Sequence, residues 1–378
     1  MTQISNLYPI LIERGSYMTH CGYAGNDKAE QSFRTPMIDV EEQFENIFKN
    51  VLKVDPSQHN IIIIKDAGTA QQVLKEEACI LFTKFNVKAC AFVNSQIGVL
   101  FTWVGKGPNA LIVDIGYEST IILPIIDLRI KKDLIAKISQ AGRTIENFII
   151  DRLINLGISM DLIEKHKDEL FPRLLRDYFF FDSESEHDFE RTEIYNRKKD
   201  LSEILILQDK EGNAINISLP SPILPLDLVL KRSPVFDMSL SALLNTLIVK
   251  ILETFGASKL GRIIDTYDDQ SMKGRIIITG GASNILGLRS LLIRELLKKT
   301  DIRRAIDFNN YPKCPLILVE LGKGSYAIRC VPYESTPGSW IGASMIFSLK
   351  NASKFFVLKE EFSNNPEINF PLEHQYIR

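Results

Sequence analysis

Three short stretches of the chain carry residue types that, at their spacing, suit the handling of a phosphorylated ligand. Two share one plan: an apolar strand, an acid, one residue, a glycine, a short turn and a second strand. They are "ILIERGSYMTHCGYAG" (10–25), with Glu13 and Gly15, and "LIVDIGYESTIILPI" (111–125), with Asp114 and Gly116. The two acids stand 101 residues apart. Glycine lets such a turn bring backbone N–H groups close to a phosphate. An acid at the strand end can hold a hydrated divalent cation that bridges phosphates. Gly15 and Ser16 in the first turn, and Asp114 and Gly116 in the second, are therefore the candidate ligand contacts. Glu13 and Asp114 are the pair available to Mg²⁺. The echo alone fits two ordinary hairpins as well as it fits a phosphate clamp. A third element favours the clamp: "RIIITGG" (275–281) reads as a strand ending in Gly280-Gly281 before a helix from about Leu286 to Lys299, whose N-terminus favours phosphates.

The elements that must position these turns follow from hydrophobic periodicity. Val40, Phe44, Ile47, Phe48, Val51 and Leu52 fall on one face of a helix over 39–53. "NIIIIKD" (60–66) reads as a buried strand, after which Thr69 is the expected cap of a helix carrying Val73, Leu74, Leu81, Phe82 and Phe85. "KACAFV" is another strand, Ser95 the expected opening of a helix through Trp103, and "NALIVDIG" a further strand. This alternation predicts an α/β layer with a largely parallel sheet. Helices are expected over 142–156 and 161–181, the second interrupted at Pro172. The charged run 182–200 reads as a solvated loop, "ILILQDKEGNAINISL" (204–219) as a hairpin turning at Glu211-Gly212-Asn213, and Pro220, Pro222 and Pro225 as an extended connection before a helix near 239–254.

Composition excludes several classes. With 378 residues, 45% apolar and 24% charged, the chain has an ordinary globular make-up and room for two lobes. A net charge of −2 gives no general attraction to nucleic acid or anionic membrane. Apolar stretches such as Ile97 to Val104 are too short to span a bilayer, and residues 1–9 do not have the pattern of a signal peptide. Five cysteines without a CxxC pair read as reduced thiols in or near the core of a cytosolic protein. Five scattered histidines make a zinc-type site unexpected.

With these motifs in this order, from Leu11 to Leu349, the chain resembles the actin family. "GSYMTHCGYAGND" is similar to that family's first phosphate loop, "VDIGYESTIILPI" to its second and "ITGGASNILGLRSLL" to its adenosine motif. "GSWIGASMIFSL" resembles the tryptophan-containing C-terminal segment, and "QAGRTIENFI" the segment that opens the large lobe's smaller subdomain. "FVNSQIGVLFT" resembles the helix start that carries the family's water-positioning glutamine, here Gln96. The resemblance implies an α/β, ribonuclease-H-like duplicated fold of two lobes around a central nucleotide cleft. Residues 1–103 with 338–378 would form the small lobe and 104–337 the large one. Gly280 and Gly281 would then join Gly15, Ser16, Asp114 and Gly116 around ATP or ADP, with an empty cleft as the alternative.

Several positions depart from the family pattern. Glu13 replaces an aspartate, Tyr17 a loop glycine and His20 the loop lysine, while Arg14 offers a partial replacement for the lost charge. Asp114, Gly116 and Thr120 are kept, but Tyr117 stands where an acid is expected and Ile121 where a histidine is. The Lys-Glu pair that meets base and ribose falls at Leu175-Arg176, and a lysine near the C-terminal tryptophan at Thr336. Glu13, Gln96 and Asp114 are thus read as relics of a hydrolytic site, and an active enzyme is not expected.

Only residues 28–38 separate Asp27 from the helix near Asp39, where actin carries a small subdomain that receives the next subunit at the pointed end. Eleven residues make a connection but not a subdomain with its own core. Within the family, "HCGYAG", the wording of the second loop and this deletion are most similar to the pointed-end actin-related subunit of dynactin (the ten/eleven group). The resemblance implies a non-catalytic structural subunit of a hetero-oligomer in the cytoplasm and cytoskeleton. Its partners would be the dynactin filament and other pointed-end subunits, with neither nucleic acid nor membrane insertion. Two alternatives stand beside it: an ATP-binding switch or slow ATPase using Glu13, Gln96 and Asp114, and an actin-related subunit of a chromatin-remodelling complex. Against the latter, "NRKKD" and "KKTDIRR" are weak as import signals.

Overall fold

The structure, a computed structural model, describes residues 8–102, 110–139, 141–182, 195, 204–208, 214–218 and 223–230, parts of 239–250, 275–288 with 291 and 292, 338–349 and 351–370. The first described strands are a hairpin of β1 (Ile10–Arg14) and β2 (Met18–Tyr23), in a register that sets Ile12 opposite Cys21 and Glu13 opposite His20. β3 (Gln31–Arg34) extends the sheet beyond β2. β4 (Ile61–Lys65) and β5 (Ala89–Asn94) add on the other side, parallel to β1. Buried on both faces, these two strands are nearly continuous apolar runs, as central parallel strands require.

The periodic helices form where expected, but their caps differ. α1 (Val40–Glu45) begins at Asp39, whose side chain accepts from the Glu42 N–H, and passes into a π-helical turn over Asn46–Val51. α2 (Gln71–Thr83) is preceded by Ala70; Thr69 does not cap it and instead donates its hydroxyl to the Asp66 carbonyl at 2.8 Å. α3 (Ser95–Phe101) is capped by Asn94, which accepts from the Ile97 N–H at 2.9 Å, so Ser95 is released for another task. Phe44, Phe48, Leu74, Leu81 and Phe82 from α1, its π turn and α2 are buried against the outer face of this sheet. Each such side chain contributes about 1.5–3 kcal/mol relative to exposure.

A second sheet repeats the plan. β6 (Ala110–Ile115) and β7 (Thr120–Ile126) form a hairpin, β8 (Arg129–Ile130) and β9 (Ala136–Ile138) both pair with β7, and β14 (Arg275–Thr279) lies parallel to β6. Before β14, β10 (Phe180–Phe181) pairs with β13 (Ile223–Leu224), and β11 (Ile204–Gln208) with β12 (Ala214–Ser218). Finally β15 (Val357–Leu358) returns to β5, giving the first sheet the order β15-β5-β4-β1-β2-β3 and the second β14-β6-β7-β8. The sequence echo between the two acid-x-Gly turns is therefore an echo of whole sheets: hairpin, antiparallel edge strand, then a parallel strand on the far side of the first.

α4 (Gly142–Asn155) and α5 (Met160–Arg173) cover the outer face of the second sheet through Ile145, Ile149, Leu153, Ile163 and Leu170. Helix α5 runs through Pro172, where a break was expected, and only after Arg173 loosens into a π turn, Leu174–Tyr178. Between the sheets lies a shared core in which Leu11, Ile62 and Val93 meet Ile112, Ile121 and Leu123 around Trp340 of the C-terminal helix Gly338–Phe347. That helix crosses α3 so closely that a Cβ on Gly342 would lie 1.7 Å from the Gly98 carbonyl oxygen.

Residues 27–39 are more than a plain connection, because they supply β3 to the main sheet. No second sheet stands there; the chain passes from Arg34 directly to the start of α1. Of the cysteines, Cys21 and Cys90 are buried, whereas Cys79, expected in or near the core, is exposed on α2. The hairpin turn 209–213, Pro220, Pro222, Thr336 and, apart from Asp182 and Tyr195, the charged run 182–200 lie outside the described residues. Among the described residues no helix is long and apolar enough to cross a membrane.

Candidate nucleotide cleft

The two hairpins bring their acids together at the strand ends. Glu13, in the last positions of β1, accepts from the Ser339 hydroxyl at 2.5 Å, and its second oxygen is buried with no partner. Burial raises its pKa to about 8; the charges of Asp114 and Asp66 push the same way, and only the Ser339 hydrogen bond opposes them. Asp114, near the end of β6, is also pushed toward its neutral form, first by burial and then by Asp66, against a hydrogen bond from Gln96. Gly280, which follows β14, packs onto this acid. Its φ of 91° is left-handed, and a Cβ there would sit 2.6 Å from Asp114 Oδ1 and 2.3 Å from the Ile115 carbonyl oxygen, so only glycine fits.

Gln96 is held on three sides. Its Nε2 donates to Asp114 Oδ2 at 2.7 Å and to Asp66 Oδ1 at 3.4 Å, and its Oε1 accepts from the Ala67 N–H at 2.9 Å. Ser95 donates to the same Asp66 oxygen at 3.0 Å. The side chain is fully buried. Gln96 therefore ties two carboxyl groups together, and its amide is already engaged at both ends.

The turns themselves are filled by side chains. The Tyr17 and Tyr117 rings lie 4.8 Å apart at 53°, one from each hairpin. The Arg34 guanidinium stands 3.5 Å from the Tyr17 ring centre and 5.6 Å from that of Tyr117, with Arg143 5.4 Å from Tyr117. The Gly15 N–H closes its own turn on the Met18 carbonyl at 3.0 Å, and the Gly116 N–H does the same with Ser119 at 3.0 Å. Arg14 does not enter the cleft. It turns to the flank of the first sheet, donating to Glu77 at 2.5 Å and Gln43 at 3.2 Å and lying over Phe44, and Lys65 also reaches Glu77 at 2.5 Å. It therefore does not replace the lost loop lysine. His20 is buried beside Ser32, 2.7 Å away, and burial lowers its pKa to about 4, which keeps it neutral.

Residues 38–200 match the actin family. Over 121 residues the chain is 25% identical to actin-related protein 4 of Arabidopsis thaliana, a match covering 32% of this chain and 27% of that relative. The chain thus spans about a quarter of the length of the curated relative it matches. Both matches are partial, and the duplicated sheets and the shared core extend beyond them.

The fold is actin-like.

In an actin fold the space between these hairpins is where nucleotide phosphates and their cation are expected, and the residues present do not fit them. The turn amides of Gly15 and Gly116 are spent locally, and two tyrosine rings occupy the gap. Among the described residues no three His, Cys, Asp or Glu side chains converge on a common metal position. Gly15 and Ser16 are exposed at the rim, and of the candidate glycines Gly15, Gly116, Gly280 and Gly281 only Gly281 borders open space, with nothing within 4 Å of a Cβ built there. The glycine pair leads into a 3-10 turn, Gly281–Asn284, rather than directly into an α-helix. At the expected base-contacting pair, Leu175 is buried in the core of the second half.

Asp66, Ser339, Arg34 and Arg143 complete the site and were not identified from sequence. Asp66 had a visible signal, since it ends "NIIIIKD" as Asp114 ends its own strand. Ser339 and the two arginines had none, because they reach the cleft from distant parts of the chain.

Proposed function

We propose that the chain is a non-catalytic structural subunit that caps the pointed end of the dynactin filament and thereby supports dynein-driven transport along microtubules. It would act in the cytoplasm as part of a hetero-oligomer, with the actin-like filament on one face and other pointed-end subunits on the other. The observation that carries this reading is the segment 27–39, which adds β3 to the main sheet and then enters α1 without building a further subdomain. A filament contact is heterologous, so a subunit that keeps one half of it and lacks the other terminates growth. The engaged amide of Gln96 supports a structural rather than a hydrolytic role.

The test is purification of a tagged copy from cells together with its stable partners. Filament and pointed-end subunits of dynactin are the expected companions. Subunits of a chromatin-remodelling complex in their place would overturn the proposal, as would magnesium-ATP turnover that falls in a Gln96→Ala variant.

A further inference from the structure

We infer that the two halves of the fold are fastened across the cleft by a side-chain latch of Tyr17, Arg34, Tyr117 and Asp168, which stands in the place of ligand phosphates and makes closure independent of nucleotide. Tyr17 and Arg34 belong to the first sheet, on the β1–β2 turn and on β3; Tyr117 lies on the β6–β7 turn and Asp168 on α5. The contacts that join the two pairs across the cleft are between side chains. The tyrosine rings meet at 4.8 Å, and the Arg34 guanidinium faces both. The same guanidinium reaches the Asp168 carboxylate at 3.5 Å. A cation over the negative faces of two rings is attracted to both, most strongly where water is excluded. Arg34 Nη1 is buried and makes no hydrogen bond, so the rings and the Asp168 carboxylate together hold its place.

Each half holds its part of the latch in place. On the first, the Thr35 N–H donates to the Tyr17 carbonyl at 2.9 Å and the Thr35 hydroxyl to the Gly15 carbonyl at 2.7 Å, tying the tyrosine turn to the residue after Arg34. On the second, the Gly142 and Arg143 N–H groups donate to the Gly116 and Tyr117 carbonyls at 2.9 and 2.7 Å, and the Arg143 side chain pairs with Glu118 at 2.6 Å. Rings and phosphates would compete for one volume and for the same arginine. The inference does not depend on filament capping: a chain with any other partner would keep the latch.

Hydrogen exchange on the full chain tests it. Tyr17→Ala is expected to raise exchange about tenfold in the 116–119 turn, in the half of the fold it does not belong to, and Tyr117→Ala to do the same at 15–17. The double variant should add little to either single one, since one broken contact cannot be broken twice. Tyr17→Phe keeps the ring and should exchange as the wild type does, while Arg34→Gln, at a half-buried edge position, should loosen both turns if the alanine variants do not fold. Magnesium ATP should leave wild-type exchange unchanged. Effects confined to the mutated turn, or protection of both wild-type turns by magnesium ATP, would overturn the latch.

Discussion

The hairpin around Glu13 and the hairpin around Asp114 are built on the same frame and have different polar ends. In each, an antiparallel pair is followed by a third antiparallel strand and flanked by a parallel one, and each acid lies at the tip of its first strand. Asp114 is held from nearby, by Gln96 on α3. Glu13 is held from the far end of the chain, by Ser339, and the residue after it has turned away into a buried Arg14–Glu77–Lys65 group with no counterpart in the second hairpin. A strand frame is fixed by apolar pairing that a register slip would destroy. Its polar ends carry no such constraint, so they can be reassigned from ligand handling to internal bonding while the frame persists.

The sharpest way to separate the two halves is to remove what only the first has. Glu77→Ala strands two buried cations, and should cost about 3–5 kcal/mol by chemical denaturation, because breaking a buried ion pair leaves uncompensated charge. Next comes the crossing that lets the C-terminal helix present Ser339 to Glu13. Gly342→Ala would drive a methyl group to 1.7 Å from the Gly98 carbonyl oxygen. A loss of about 3 kcal/mol or more is expected, at the upper end for overpacked sites. Gly281→Ala on the second half meets nothing within 4 Å. It should stay within about 0.5 kcal/mol of the wild type.

The two acids shift in the same direction with pH, Asp114 to about 7 and Glu13 further, so Glu13 dominates above neutrality. Glu13 has a pKa raised from 4.5 to about 8, so the folded state holds its proton more tightly than the unfolded chain does. Its contribution to stability is complete below 4.5 and is lost as pH rises toward 8. His20 works in the opposite direction, losing stability as pH falls from 6.5 toward 4, so it is silent above 6.5. Between pH 6.5 and 8 stability should therefore fall by about 2 kcal/mol, at about 1.4 kcal/mol for each pKa unit. Glu13→Gln should remove most of that slope. Gln96→Ala should cost about 1–3 kcal/mol by leaving buried groups unpaired, with no change in ATP turnover.

How much of this was legible in the sequence follows from the same distinction. The apolar runs of β1, β4, β5 and β6 and the stripes of α2 and α4 were readable because burial imposes a period on residue type. The acid-x-Gly repeat pointed correctly to the paired sheets. Caps were less legible: Thr69 and Ser95 are as good N-cap types as Asn94, and the choice among neighbours depends on which backbone N–H groups lie within reach. Arg14 looked like a cleft residue because it adjoins Glu13, yet alternation along β1 sends it to the opposite face. Of the latch, Tyr17 and Tyr117 stood out as departures in the two turns, but Arg34 and Asp168 could not be read, since they are brought together only by the fold.

The most direct measurement is the nucleotide content of the chain isolated with its native partners, read after denaturation and chromatography of the released small molecules. A cleft closed by Tyr17 and Tyr117 predicts ATP and ADP far below one equivalent, with no phosphate released on incubation with magnesium ATP. Stoichiometric nucleotide retained through purification would contradict it.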